Sequence, residues 1–255
     1  MGVVNITPDS FSDGGRFLDA GAAVAHAREL AAEGADIIDI GGESSRPGAA
    51  PVSEQAELDR VLPVLEKIAD LPVSVDTRRP GVMKAALEAG ASMINDIEAL
   101  AAAGAMGIEA KSDCAVCLMH KQGEPATMQQ APHYDDVVAE VLQFLKDRIL
   151  CCERSGIARG RIVADPGFGF GKTAQHNLTL LKHLSEFTKL EVPILAGLSR
   201  KSTLGKLTGR PAEERLAGSL AMALLALVRG ARILRVHDVR ETRDVIAVWE
   251  ALEKA

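Results

Sequence analysis

A single (β/α)8 TIM barrel is the fold this sequence predicts, and three observations predict it. The chain has 255 residues, long for an ordinary domain and normal for one barrel of this kind. Short apolar runs rich in Val and Ile recur eight times, each ending in polar residues and each followed by a helical stretch. No linker divides these units, so residues 1–255 read as one domain. Eight β-then-α units imply a parallel sheet with right-handed crossovers, and eight is the number that closes it. A doubly wound open sheet is the alternative, but no G-x-G-x-x-G follows the first run.

The first run, residues 2–6, carries Asn5 near its end and stops at Thr7-Pro8-Asp9-Ser10; a helix over 20–33 follows, stopped by Gly34. The second, 36–41, leads into GGESSRPGAAP, whose small residues and prolines predict a long flexible loop with Ser45 and Arg46 at its tip. Ser53 then caps a helix over 54–69. The third, 72–76, ends in Asp76, and Arg79-Pro80 starts a helix over 80–89. The fourth, 92–97, ends in Asn95 and Asp96 before a helix over 99–110. The fifth, 115–120, ends at His120 before a helix over 135–155. The sixth, 161–165, ends at Asp165 and enters DPGFGFGK before a helix over 175–188. The seventh, 193–198, delivers Ser199, Arg200 and Lys201, with a helix over 212–229 beyond. The eighth, 232–236, holds Arg235, with His237 just past it and a helix over 241–254.

Composition narrows the function. Hydrophobic residues make up 47% and charged residues 25%, enough for a large core. A net charge of -6 with 3% aromatics argues against a nucleic-acid partner. Cys114 and Cys117 fall in an apolar strand rather than at a helix start, and with Cys151 and Cys152 they read as thiols of a reducing compartment. No apolar run is long enough to cross a membrane and no signal peptide opens the chain, so a soluble, cytoplasmic protein is expected.

In such barrels the active site lies where the strands end. Here every strand places polar groups at that end, too many for helix caps alone. Asp76, Asn95 and Asp165 suit a ligand edge rich in N–H donors, such as a 2-amino-4-oxo ring; caps for following helices are the competing reading, strongest for Asp96. A divalent-metal cage is disfavoured because no element carries a clustered ligand pattern. DPGFGFGK fails the Walker pattern at Pro166, and its glycines instead suggest a mobile loop presenting Phe168 and Phe170. Arg200, Lys201 and Ser202 after strand seven, and Arg235 and His237 at strand eight, lie where phosphate groups bind in these barrels. Arg235 and His237 alternate and so share a face; salt bridges to helix carboxylates are the competing reading for Arg235 and Arg200. No Ser–His–Asp set or G-x-S-x-G is present.

Eight motifs, NITPDSFSDGG, DIGGESSRPGA, SVDTRRP, INDI, CLMHKQG, DPGFGFGK, LSRKS and RVHDV, occur in an order that resembles the dihydropteroate synthase family of pterin-binding barrels, from residue 1 to about residue 250. The resemblance implies condensation of 6-hydroxymethyl-7,8-dihydropterin diphosphate with 4-aminobenzoate, giving 7,8-dihydropteroate and pyrophosphate in folate biosynthesis. It implies that Asp76, Asn95, Asp165, Lys201, Met119, Ile97, Phe170 and Gly197 hold the pterin. Asn5, Ser45, Arg235 and His237 would hold the diphosphate, with Asn5 a ligand of Mg2+. Arg46, Pro47, Phe170 and Ser202 would border the aminobenzoate. Asp76, Asp165, Lys201, Arg235 and His237 would form the catalytic set. A homodimer and membership of a family that is a sulfonamide target belong to the same expectation, the apolar helix 220–228 being a candidate contact.

Ser45 stands where the family often has Thr, and Lys121 and Leu198 where it often has Met; a short segment ahead of strand one that would cover the barrel floor is missing from the 255 residues. The loops 7–15 and 44–51 are expected to close over bound substrate. A corrinoid-linked pterin methyltransferase would share the Asp and Asn set but not Asn5, Arg235 and His237. A non-catalytic pterin-binding protein would lack the two loops.

Overall fold

The computed structural model describes residues 1–7, 20–44, 51–124 and 127–255. Eight parallel strands run in chain order: β1 (Gly2–Asn5), β2 (Ile38–Gly41), β3 (Val73–Asp76), β4 (Met93–Asp96), β5 (Ala115–Met119), β6 (Ile162–Asp165), β7 (Ile194–Ala196) and β8 (Ala231–Leu234). The ring closes where Gly2 bridges Val236 in parallel and the Val3 amide donates to the Val236 carbonyl at 3.1 Å. All eight expected strands and the barrel they form are therefore present.

Around the barrel, and among the described residues, lie nine helices: α1 (Ala20–Ala32), α2 (Glu54–Leu65), α3 (Pro80–Glu88), α4 (Ala105–Glu109), α5 (Val137–Arg154), α6 (Ala174–Lys182), α7 (Ser202–Thr208), α8 (Leu216–Val228) and α9 (Val239–Glu253). The expected helix over 99–110 shrinks to α4, because Ala99, Leu100 and Gly104 all take positive φ. The helix over 175–188 gives way to a 3-10 turn after Lys182. α7 lies outside the eight expected helices.

Strand alternation sorts the interior. Met93, Cys117, Val163 and Leu195, with Met1, Ala115 and Ile233, form a compact cluster inside the barrel. Their neighbours Ile94, Val116, Leu118, Ile162, Ala164, Ile194 and Ala196 belong instead to the large outer core shared with the helices. Two residues on from the inner set stand Asn95, Met119, Asp165, Gly197 and Arg235. The register places Asn5 beside Gly41, Gly41 beside Asp76, and Asp76 beside Asn95. One parity of the strands thus carries an apolar plug below and polar groups at the mouth.

At the opposite end, a cavity of about 520 Å³ is lined by Met1, Leu234, Val236, Arg232 and Trp249 among others, and by none of the strand-end polar groups. Cys114, Cys117, Cys151 and Cys152 are free thiols. No helix among the described residues is long and apolar enough to cross a membrane.

Candidate active site

Arg235 ties the mouth together. Just past β8, its Nε donates to Asp39 Oδ2 of β2 at 2.6 Å and its Nη2 to Asp76 Oδ2 of β3 at 2.9 Å. Asn95 of β4 donates to the same Asp39 oxygen at 3.3 Å. The salt bridge allowed for Arg235 is real, but its partners are strand carboxylates, not helix ones. Burial works against the guanidinium's charge, yet Asp39 and Asp76 outweigh it and raise the pKa of Arg235. Burial pushes the Asp76 carboxyl up to about 7, against the pull of Arg235. Asp165 is also raised by burial, with Lys201 opposing; one of its oxygens accepts the Gly167 amide at 2.7 Å.

Lys201 stands at the N-cap position of α7, just beyond β7, without a capping side-chain bond. Its ammonium donates to the Phe168 carbonyl and lies 4.8 Å from the centre of the Phe170 ring. Burial lowers its pKa to about 8. Gly197 lies between the two cations: an added Cβ would make ordinary contacts with Lys201 Nζ at 3.7 Å and Arg235 Cβ at 3.8 Å.

The loop DPGFGFGK is not the free glycine-rich flap expected. Gly167 (φ 69°) and Gly171 (φ 61°) are pressed onto the chain after β5: an added Cβ would lie 1.8 Å from the His120 carbonyl oxygen and 2.1 Å from that of Gln122. The glycines serve close backbone approach. Phe168 is fully buried in the outer core and cannot act as a lid, whereas Phe170 is half-buried beside Lys201.

Two strand-end groups turn away from the mouth because they fall on the other parity. Asp96, beside Leu118 in the register, accepts the amides of Glu98 at 2.8 Å and Leu100 at 2.7 Å, the capping reading allowed for it. His120 packs edge-on against Phe144 of α5, its ring centre 4.9 Å away, and burial lowers its pKa to about 3. Arg200 is held in a two-pronged bond to Asp238, so it is committed to structure. His237 shares a hydrogen bond with Ser199 Oγ at 3.0 Å. Met119 and Ile97 are buried at the ends of β5 and β4, and Ser202 opens α7. Ser45, Arg46 and Pro47, and most of the loops 7–15 and 44–51, lie outside the described residues.

Sequence reasoning missed an ion-pair chain along the rim. Glu43 pairs with Arg79 at 2.8 Å and with Arg78 at 3.1 Å; Arg78 continues to Glu98 at 3.1 Å, and Glu98 to Lys121 at 3.3 Å. Arg79 also reaches buried Glu57. This chain joins the loops after β2, β3, β4 and β5. It also missed Lys172, whose ammonium is buried beneath the DPGFGFGK loop. The charge of DTRRP beside GGE was the available signal for the first; nothing local marks the second.

Among hard oxygen donors at the mouth, Asn5 offers an amide at the end of β1, and no cluster of three His, Cys, Asp or Glu able to hold a metal occurs among the described residues.

Residues 1–237 match the family described as pterin binding enzyme. The chain is 51% identical over 254 residues to the dihydropteroate synthase of Escherichia coli strain K12, covering 98% of this chain and 90% of that one. The dihydropteroate synthase of Yersinia pestis in a sulfonamide drug complex superimposes with a TM-score of 0.95 at 48% identity, over 100% of this chain and 94% of that one. That of Xanthomonas albilineans in complex with 7,8-dihydropteroate gives 0.90 at 51% identity, over 100% and 93%.

Proposed function

We infer, from a chain that belongs to the dihydropteroate synthase family of pterin-binding enzymes, that this protein condenses 6-hydroxymethyl-7,8-dihydropterin diphosphate with 4-aminobenzoate. The products are 7,8-dihydropteroate and pyrophosphate, a step of folate biosynthesis. The observation that carries the reading is the mouth itself: Asp76 and Arg235 are bonded at 2.9 Å, and Asn95, Asp165, Gly197 and Lys201 stand at the same strand ends.

The residues divide the work by charge. Asp76, Asn95 and Asp165 offer acceptors to the pterin's N–H edge, and Lys201 donates to its acceptor side; Met119, Ile97 and Phe170 give the ring apolar walls. Arg235 spends Nε and Nη2 on carboxylates, and its Nη1 makes no hydrogen bond among the described residues. That donor, with His237 and Ser45, would hold the diphosphate. A magnesium ion on Asn5 would neutralise further phosphate charge when bound. Ser202, Arg46 and Pro47 border the aminobenzoate.

The reaction needs no strong base, because an aryl amine is unprotonated at neutral pH. The methylene C–O bond breaks and its electron pair leaves with pyrophosphate, whose charge the cations stabilise. The cation left on the methylene is conjugated with the pterin, and an ionised Asp165 would offset its charge. The amine nitrogen then forms the C–N bond and gives up its proton to the departing pyrophosphate or water. Holding both substrates in one mouth supplies the orientation term.

A sulfonamide competes for the aminobenzoate position. The protein works in the cytoplasm as a homodimer; Leu224, Leu225 and Val228 of α8, with Val248 and Leu252 of α9, leave an apolar outer face that supports such a contact. Pyrophosphate release from the pterin diphosphate, followed with and without 4-aminobenzoate, tests the function. Release matched by 7,8-dihydropteroate supports it; binding of pterin without turnover would leave only a pterin-binding protein.

A further inference from the structure

Lys172 closes the DPGFGFGK loop and takes no part in the chemistry above. It is 2% exposed, yet its ammonium has four acceptors. They are His120 Nδ1 at 2.9 Å and the carbonyls of Gly167 at 3.0 Å, Phe170 at 3.0 Å and His120 at 3.3 Å. A protonated Lys172 requires an unprotonated Nδ1 on the His120 ring. Buried ammonium groups are costly unless acceptors replace their water. Burial pulls the pKa of Lys172 down to about 7, while the carbonyl acceptors favour its protonated form.

The two carbonyls taken from the loop, Gly167 and Phe170, flank Phe168. The Phe168 carbonyl is the one that accepts from Lys201, and the Phe170 ring is the one over which Lys201 lies. Two lysines therefore grip the same four residues, Lys201 on the mouth side and Lys172 from the side of the β5 loop. The neighbouring carbonyls are engaged as well, that of Gly171 by the Tyr134 hydroxyl at 3.0 Å.

We propose that Lys172 is a positioning residue for the condensation: it fixes the Phe168 carbonyl and the Phe170 ring that together seat Lys201. The inference rests on the reading of Lys201 as a pterin-binding group. Without the ammonium, the carbonyls of His120, Gly167 and Phe170 and the His120 ring lose their charged donor, Gly167 keeping only the Phe170 amide at 3.1 Å, so the loop relaxes and the Lys201 seat opens.

The test is Lys172→Met in the full chain, a side chain of similar length without charge. In ligand-free protein the Lys201 Cε protons, assigned by their loss in Lys201→Gln, carry the ring-current shift of Phe170. In Lys172→Met this shift should move toward that of an ordinary lysine. The KM for the pterin diphosphate should rise about ten-fold or more, by a larger factor than kcat falls. His120→Leu, which removes one acceptor and no charge, should move both readings the same way by about three-fold in KM, and it decides the matter if Lys172→Met does not fold. An unmoved Lys201 shift, with or without loss of kcat, would overturn the proposal. Because that shift is read without substrate, a wild-type protein that fails to turn over the pterin diphosphate would sink the functional reading and leave the seat still measurable.

Discussion

Arg235 Nε lies 2.6 Å from Asp39 Oδ2, while the other Asp39 oxygen is buried with no hydrogen-bond partner. The last strand and the second are thereby held across the first, and Asp39 depends on one guanidinium for its charge. Arg235→Ala strands that carboxylate, and the loss of a partner from a buried pair destabilises by about 3 kcal/mol. The same change should weaken pyrophosphate binding by about 2 kcal/mol, the worth of a shielded charged hydrogen bond. Adding Asp39→Asn should restore most of the stability and none of the affinity. Thermal denaturation and titration calorimetry with pyrophosphate and magnesium separate the two effects; unchanged affinity in Arg235→Ala would take Arg235 out of the diphosphate site.

Asp165→Asn keeps the shape at the end of β6 and removes its charge. Turnover should fall by at least about a hundred-fold, more than binding of a neutral pterin weakens, because the charge acts on the developing cation. Comparing kcat with the pterin dissociation constant checks this. Equal losses in both would make Asp165 a binding group only.

The pH dependence should be narrow. Asp76, raised to about 7 by burial, must be ionised to accept from the pterin, and Lys201, lowered to about 8 by burial, must be protonated to donate. Lys172, lowered to about 7 by burial, must also hold its proton to seat Lys201, so kcat/KM for the pterin diphosphate in the free enzyme should peak near pH 7 and fall above it as Lys172 and then Lys201 deprotonate. Lys201→Gln should abolish the alkaline limb. The folding sign follows as well. The carboxyl of Asp76 is raised from 3.8, so the folded state holds its proton more tightly. Its contribution is fully present below about pH 4 and is lost as the pH rises through about 7. Asp76→Asn should accordingly gain on the wild type in melting temperature as the pH is raised from 4.5 to 8; a constant difference would contradict the raised value.

Much of this site is legible in one rule, the alternation of a strand. Once Met93 and Cys117 are recognised as interior, Asn95 and Met119 must follow them inward, and Asp96 and His120 must not. Counting His120 among the converging strand ends, and Asp96 with capping as its competing reading, ignored that parity, and the structure removes both from the mouth. The contacts of the DPGFGFGK loop were out of reach, because the partners of Gly167 and Gly171 at His120 and Gln122 are roughly fifty residues away along the chain and nothing local points to them. The glycines looked like freedom and are instead tight approach. α7 escaped because seven residues containing Gly205 give too short a run for helical periodicity.

Two glycine substitutions measure that distinction. Gly90 has φ 92° and open space around an added Cβ, so Gly90→Ala should cost about 1 kcal/mol. Gly167 has φ 69° and a carbonyl 1.8 Å from the added atom. Gly167→Ala should cost about 3 kcal/mol or more, with loss of activity as the Lys201 seat shifts. Urea denaturation of the pair decides; equal costs would mean that the loop yields freely, as a mobile flap would.

The most direct measurement follows the fate of the bridging ester oxygen. Pterin diphosphate carrying a heavy oxygen isotope between the methylene carbon and phosphorus is incubated with the protein and magnesium. No 4-aminobenzoate is added, and the unreacted substrate is recovered. If the C–O bond breaks before the amine attacks, with Arg235 and His237 holding the pyrophosphate and Asp165 offsetting the cation, the label migrates to non-bridging positions. Addition of 4-aminobenzoate should then give 7,8-dihydropteroate and labelled pyrophosphate in equal amounts. Label that stays in the bridge, in a protein that turns over normally once the amine is added, would contradict the account.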